Sequence, residues 1–168
     1  MYKKLIMKKI ILALSLLFCA TTVSAKNFAV GGRIGSGFQA QAEYTFNNDN
    51  YIDGRFGMSW CNKGAEIMAD LTLLYQWNVA NMDWTPRTGE WFFDAGLGAS
   101  VGGKAHYAYI GVTGGAKFGI RFNGAPIKLA IDWTPVLGPG IVYGGGASHA
   151  KFNGLGLVNF GLSCVYCF

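Results

Sequence analysis

From Asn27 onward the chain alternates apolar and polar residues with a period of two, and this pattern limits its folds more than any other feature. Phe38, Ala40, Ala42, Tyr44 and Phe46 interleave with Gln39, Gln41, Glu43 and Thr45. Ile52, Gly54, Phe56, Met58 and Trp60 do the same with Asp53, Arg55 and Ser59, as do Ile67, Ala69, Leu71, Leu73, Tyr75 and Trp77 with Glu66, Asp70, Thr72 and Gln76. The pattern returns in Trp91–Val101, Ala108–Phe122, Ile127–Trp133 and Val158–Phe168, and a first segment sets Phe28, Val30 and Ile34 against Arg33. A helix repeats its apolar face every three to four residues, so these segments read as strands. About eight of them are joined by turns rich in Gly, Asn and Pro. An open antiparallel sheet of that width would leave two unprotected edges, which points to a closed up-and-down barrel.

Alternation alone does not say which face is inside. The chain is 51% hydrophobic and only 14% charged, yet the apolar register holds no Asp, Glu, Lys or Arg. The opposite register holds Arg33, Glu43, Asp53, Arg55, Glu66, Asp70, Glu90, Asp94, Lys117, Arg121, Lys128 and Asp132. A charge-free face is what hydrocarbon requires, and a soluble core requires it too. Position separates the two cases. Tyr44, Phe46, Trp60, Tyr75, Trp77, Trp91, Trp133, Tyr166 and Phe168 sit near strand ends, where amphipathic rings meet lipid headgroups as an interfacial girdle, whereas a soluble core places its bulk mid-strand. The expected fold is therefore an all-β, eight-stranded antiparallel up-and-down transmembrane β-barrel with its oily face outward. The charges then form ion-paired networks that plug the bore, and inward glycines such as Gly96 and Gly119 leave room for them.

The last strand runs to Phe168, as a barrel that closes its final strand against its first demands. Asn159, Gly161, Cys164 and Tyr166 with Phe168 resemble the polar, glycine, apolar, apolar spacing read by the outer-membrane barrel assembly machinery. Across Asn27–Phe168 the chain resembles the small eight-stranded outer-membrane β-barrel proteins of Gram-negative bacteria, the group of OmpX-like and OmpA-like barrels. The resemblance implies an outer-membrane location, contact with lipid and lipopolysaccharide, a monomer, no cofactor and no metal.

Residues 1–25 read as a cleaved secretory signal, leaving 26–168 as the barrel domain. Lys3, Lys4, Lys8 and Lys9 precede the apolar run Ile10–Phe18, and Val23, Ser24 and Ala25 supply the small residues of a cleavage site. Translation from Met1 or Met7 gives an equally complete signal. Phe18 before Cys19 argues against lipidation. Cleavage removes four lysines and no acid, so Lys+Arg falls from 14 to 10 against nine Asp+Glu, which gives no reason to invoke nucleic acid. Cys61, Cys164 and Cys167 remain, an odd count that argues against a disulfide framework. Residues three apart on a strand face opposite ways, so Cys164 and Cys167 do not form a redox or metal pair.

The expected role of this porin-like barrel is structural or interactive at the envelope rather than enzymatic or solute-transporting. One alternative is a soluble exported barrel binding a small apolar ligand. Another is a membrane-embedded lipid-modifying enzyme of lipid A deacylase type using Ser148 and His149, the second of only two histidines with His106, although no third group orients them. Gly-x-Gly at Gly35 or Gly96 precedes no helix and signals no phosphate site. Asn78–Gly89 reads as a long connection at the end bearing the termini. Pro135–Ala150 reads as an extension of the last two strands into a hairpin, in preference to an exposed apolar loop for lipopolysaccharide.

Overall fold

The computed structural model describes residues 27–47, 50–59, 67–142, 149–153 and 157–168, with backbone alone at 47 and 149–153. Residues 1–26, which include the expected signal segment 1–25, and residues Trp60, Cys61, Glu66 and Ser148 lie outside the described residues, as does the side chain of His149. Ten strands follow in chain order: β1 (Phe28–Gly35), β2 (Gly37–Asn47), β3 (Asn50–Ser59), β4 (Met68–Thr85), β5 (Gly89–Lys104), β6 (Tyr107–Phe122), β7 (Ile127–Trp133), β8 (Val136–Val142), β9 (His149–Asn153) and β10 (Phe160–Cys167). They make one antiparallel sheet in the order β5-β4-β3-β2-β1-β10-β7-β6-β8-β9, which the β5–β6 pairing closes.

The ten strands build eight staves. β7 and β8 are two pieces of one stave, because both pair with β6 in a single register, from Arg121↔Lys128 and Ala116↔Trp133 to Thr113↔Val136 and Tyr107↔Val142. Their break falls at Pro135, which has no N–H to donate, although its carbonyl still accepts from the Gly114 amide at 3.0 Å. β9 and β10 are the pieces of the last stave, pairing with β8 and β7 in shifted registers. β10 also pairs with β1, from Ala29↔Cys167 to Gly35↔Gly161, and so joins the ends of the barrel.

The staves tilt. From Ala29 the chain of hydrogen-bonded partners runs through Glu43, Asp53, Leu74, Gly98, Thr113 and Val136, passing beyond the end of β10 before the circuit closes. That stagger is the geometric condition for closing a sheet. At one end the staves meet at Ser36 and residues 105–106; the other end carries residues 86–88, 123–126 and the ends of β1 and β10.

One segment differs from the period-two reading and a second agrees with it. Asn78–Gly89 is not a loop: β4 continues to Thr85 and a short turn leads into β5. Bulges at Asn78/Ala80 and Met82/Thr85 each shift the pattern, so the alternation loses phase although pairing with β5 persists. Pro135–Ala150 holds β8 and the start of β9, which pair antiparallel as a hairpin extension.

Side chains divide by face. Phe56, Leu71, Leu73, Leu97, Ile110, Val112, Ile131 and Leu162 are exposed on the outside, each half-exposed or more. Arg33, Glu43, Asp53, Arg55, Asp70, Asp94, Lys117, Lys128 and Asp132 are buried inside. The interior of this barrel is its polar region.

Candidate functional site

The densest polar chemistry is a chain of alternating charges crossing the interior. Glu43 on β2 and Asp53 on β3 are direct cross-strand partners, a like-charge juxtaposition that destabilises a sheet unless it is neutralised. Lys117 reaches them from β6, on the far wall, with Nζ donating to Glu43 Oε1 at 2.7 Å and to Asp53 Oδ2 at 2.9 Å. Gln41 Nε2 also donates to both, at 3.0 and 3.1 Å. Lys128 from β7 takes the second oxygen of Glu43.

The chain continues through Arg55, which donates from Nη2 to Asp53 at 2.8 Å and from Nη1 to Asp132 of β7 at 3.2 Å. Arg33 donates from Nε to the same Asp132 oxygen at 2.7 Å and from Nη1 to Gln39 Oε1 at 3.2 Å, and Gln39 Nε2 donates to Asp70 at 2.8 Å. These bonds tie β1, β2 and β3 to β6 and β7 across the bore. Every charged member is under 10% exposed, so the pairs act unscreened and the removal of one partner leaves a buried charge uncompensated. Asp53 Oδ1, Asp132 Oδ2 and Gln41 Oε1 keep acceptor capacity that no donor among the described residues uses.

A second cluster closes the interior toward the terminal end. The Tyr51 hydroxyl donates to Asp94 Oδ2 at 2.6 Å, and Asn78 Nδ2 donates to Asp94 Oδ1 at 2.8 Å. Lys128 and Lys117 lie 4.6 and 5.2 Å from the centre of the Tyr51 ring, and Lys128 lies 5.3 Å from that of Phe92.

Asn159 and Gly161, read in sequence as part of an assembly signal, have structural contacts inside. Asn159 Oδ1 accepts from Arg33 Nη2 at 3.1 Å and from Ser36 Oγ, while its Nδ2 donates to the Thr134 carbonyl at 3.0 Å. A Cβ on Gly161 would stand 2.5 Å from the Arg33 guanidinium carbon. The same holds at Gly119, where a Cβ would meet the Phe92 ring at 2.7 Å. Cys164 is exposed on the outer face with Tyr166 and Phe168; Cys167 is half-buried, and both thiols are free.

The remaining charges part from the buried network. Glu90 and Arg121 pair at 3.0 Å, but their side chains are 37% and 46% exposed, so they form the terminal rim of the bore rather than its plug. Of the aromatics, Tyr44, Phe46, Tyr75, Trp77, Trp91, Tyr166 and Phe168 lie on the outer face toward the terminal end, whereas Trp133 stacks on Phe160 at 6.2 Å, away from that rim. Trp84 joins the outer group, its ring 5.8 Å from Trp91 and 6.0 Å from Phe118.

Several network members were not singled out by the sequence reading. Gln39, Gln41, Tyr51 and Phe92 share parity with the charged residues of their strands, and that parity is the signal that finds them. His106 is exposed in the β5–β6 turn, and among the described residues no three His, Cys, Asp or Glu side chains form a group able to hold a metal ion.

Between the plug and the terminal rim the bore opens into a vestibule of about 670 Å³ whose floor is the Lys128–Glu43 pair and whose wall carries Arg121 and Glu90. The fold and interior define an all-β closed eight-stave barrel with polar side chains inside and apolar ones outside. Comparison with protein-family models, curated proteins and solved structures finds no match.

Proposed function

We propose that this protein is an integral outer-membrane β-barrel, exported by a cleaved leader, whose bore is closed by its own ion pairs and whose role is structural or interactive at the cell envelope. The observation that carries the reading is the outer surface. Around the barrel it presents Ile34, Phe38, Phe56, Leu71, Leu97, Val112, Ile131 and Leu162 to the surroundings, with no charged residue in the traced register. Monomeric soluble proteins rarely expose contiguous apolar patches beyond about 300–600 Å², and an oily belt encircling a barrel is stable where hydrocarbon surrounds it. The one-ended cluster of outer aromatics supports placing the terminal end at a headgroup interface.

The closed-bore part of the proposal rests on Lys117 and Arg55, which span the interior and would have to exchange buried partners for a solute to pass. The competing soluble barrel with an internal apolar ligand fits less well, since the space such a ligand needs is occupied by ionic side chains.

The test is cell fractionation with and without detergent, joined to gel migration of unheated and boiled samples. An envelope barrel pellets with membranes, needs detergent for release and migrates differently after boiling. Recovery in the soluble exported fraction without detergent overturns the membrane assignment, and sustained conductance in a planar bilayer overturns the closed bore.

A further inference from the structure

The terminal vestibule contains an arrangement that a rim ion pair alone does not require. An exposed Arg–Glu contact is by default a solvated surface pair worth little. Arg121 and Glu90 instead stand on the wall of a concave space of about 670 Å³, within the range of small-molecule sites. The Arg121 guanidinium carbon is 5.6 Å from the centre of the Phe92 ring, and Phe92 is fully buried, so the cation is backed by a fixed surface. A single hydrogen bond, Nη1 to Oε2 at 3.0 Å, joins the pair. The guanidinium therefore keeps further donors, and the carboxylate keeps its second oxygen. Asn81 and Thr45 add neutral polar groups to the same space.

The charge balance of the lining selects the ligand. Among the lining side chains, Lys128 and Arg121 face Glu43 and Glu90, two cations against two carboxylates, so the side chains by themselves favour neither an anion nor a cation. A ligand carrying both charges close together can replace the weak Arg121–Glu90 contact with two charge-assisted ones, its carboxylate on the guanidinium and its ammonium on Glu90. We infer that the vestibule is a binding site for a small zwitterion of the α-amino acid type, held between Arg121 and Glu90 above the Lys128–Glu43 floor. The inference needs the barrel and not its membrane placement, so it stands or falls separately from the proposed function.

The experiment is an NMR titration of the folded full chain in detergent micelles with L-alanine, following the Arg121 and Glu90 amides and the Arg121 Nε–H. Propionate and ethylamine, which carry one charge each, and O-phosphoethanolamine, which carries the charges of a lipid headgroup, are titrated in parallel. Saturable shifts with L-alanine are expected, with affinity at least tenfold weaker in Glu90→Gln and in Arg121→Met and no saturable response to either singly charged analogue. The absence of saturation with L-alanine overturns the site, as does an equal response to propionate or ethylamine. Tighter binding of O-phosphoethanolamine than of L-alanine overturns the amino-acid assignment in favour of a lipid headgroup. The analogues on the unaltered protein keep the test decisive even if a variant fails to fold.

Discussion

On β4 two opposite surfaces lie one residue apart. Leu71, Leu73, Tyr75 and Trp77 face outward and are substantially exposed, while Thr72, Leu74 and Gln76 between them are buried. The outer face is chemically uniform and touches its neighbours through ring and aliphatic contacts, so one oily residue there serves nearly as well as another. The inner face is specific. Its ionic groups reach named partners on other staves, as Lys117 does to Glu43 and Asp53, and a substitution there leaves an identifiable group unpaired. The outer face thus governs where the barrel can reside, and the inner face governs which register and shape it holds.

The largest expected effect breaks the inner side of that contrast. Lys117→Met leaves Glu43 and Asp53 facing each other in the interior and should cost about 3–5 kcal/mol, measured by urea titration of the folded protein. Adding Glu43→Gln and Asp53→Asn to the same chain should restore much of the loss; a single variant as stable as the parent would remove the ionic plug from the account.

Next comes an outward charge. Leu73→Arg, on the exposed face of β4, should cost about 2–4 kcal/mol when the barrel is folded into lipid vesicles, because the proposed membrane placement sets this face against hydrocarbon. A cost within about 0.5 kcal/mol, normal for surface substitutions in water, would mean that this face is solvated.

Asn159→Ala sharpens the comparison where the two faces converge on the stave breaks. It removes the acceptor for Arg33 and Ser36 and the donor to Thr134, and a loss of about 1–3 kcal/mol is expected by the same unfolding measurement. The smallest effect belongs to the rim. Glu90→Gln exchanges one exposed ion-pair partner and should change stability by less than about 1 kcal/mol, falling further as salt is raised. A loss comparable with that of Lys117→Met would place Glu90 within the plug.

Much of this arrangement was legible in the residues themselves. Because side chains on a strand alternate strictly, the positions of Arg33, Asp53, Lys117 and Asp132 in the polar register already put them on one face with Gln39, Gln41 and Tyr51. The phase failed after Trp77, where two bulges insert unpaired residues and turn what reads as a loop into the end of β4. It also passed over the breaks at Pro135 and before Phe160, the first of which leaves the inward and outward faces of its stave unchanged.

Sequence alone therefore determined that the chain makes strands, that their number favours closure, and that one face is free of charge. These are local properties, carried by a two-residue repeat. Partner choice came only with the tertiary structure: Lys117 meets Glu43 and Asp53, and Arg55 meets Asp132, because stave tilt brings opposite walls to matching heights. A one-dimensional pattern contains parity but no diameter, and the pairs that fill the bore are set by the diameter.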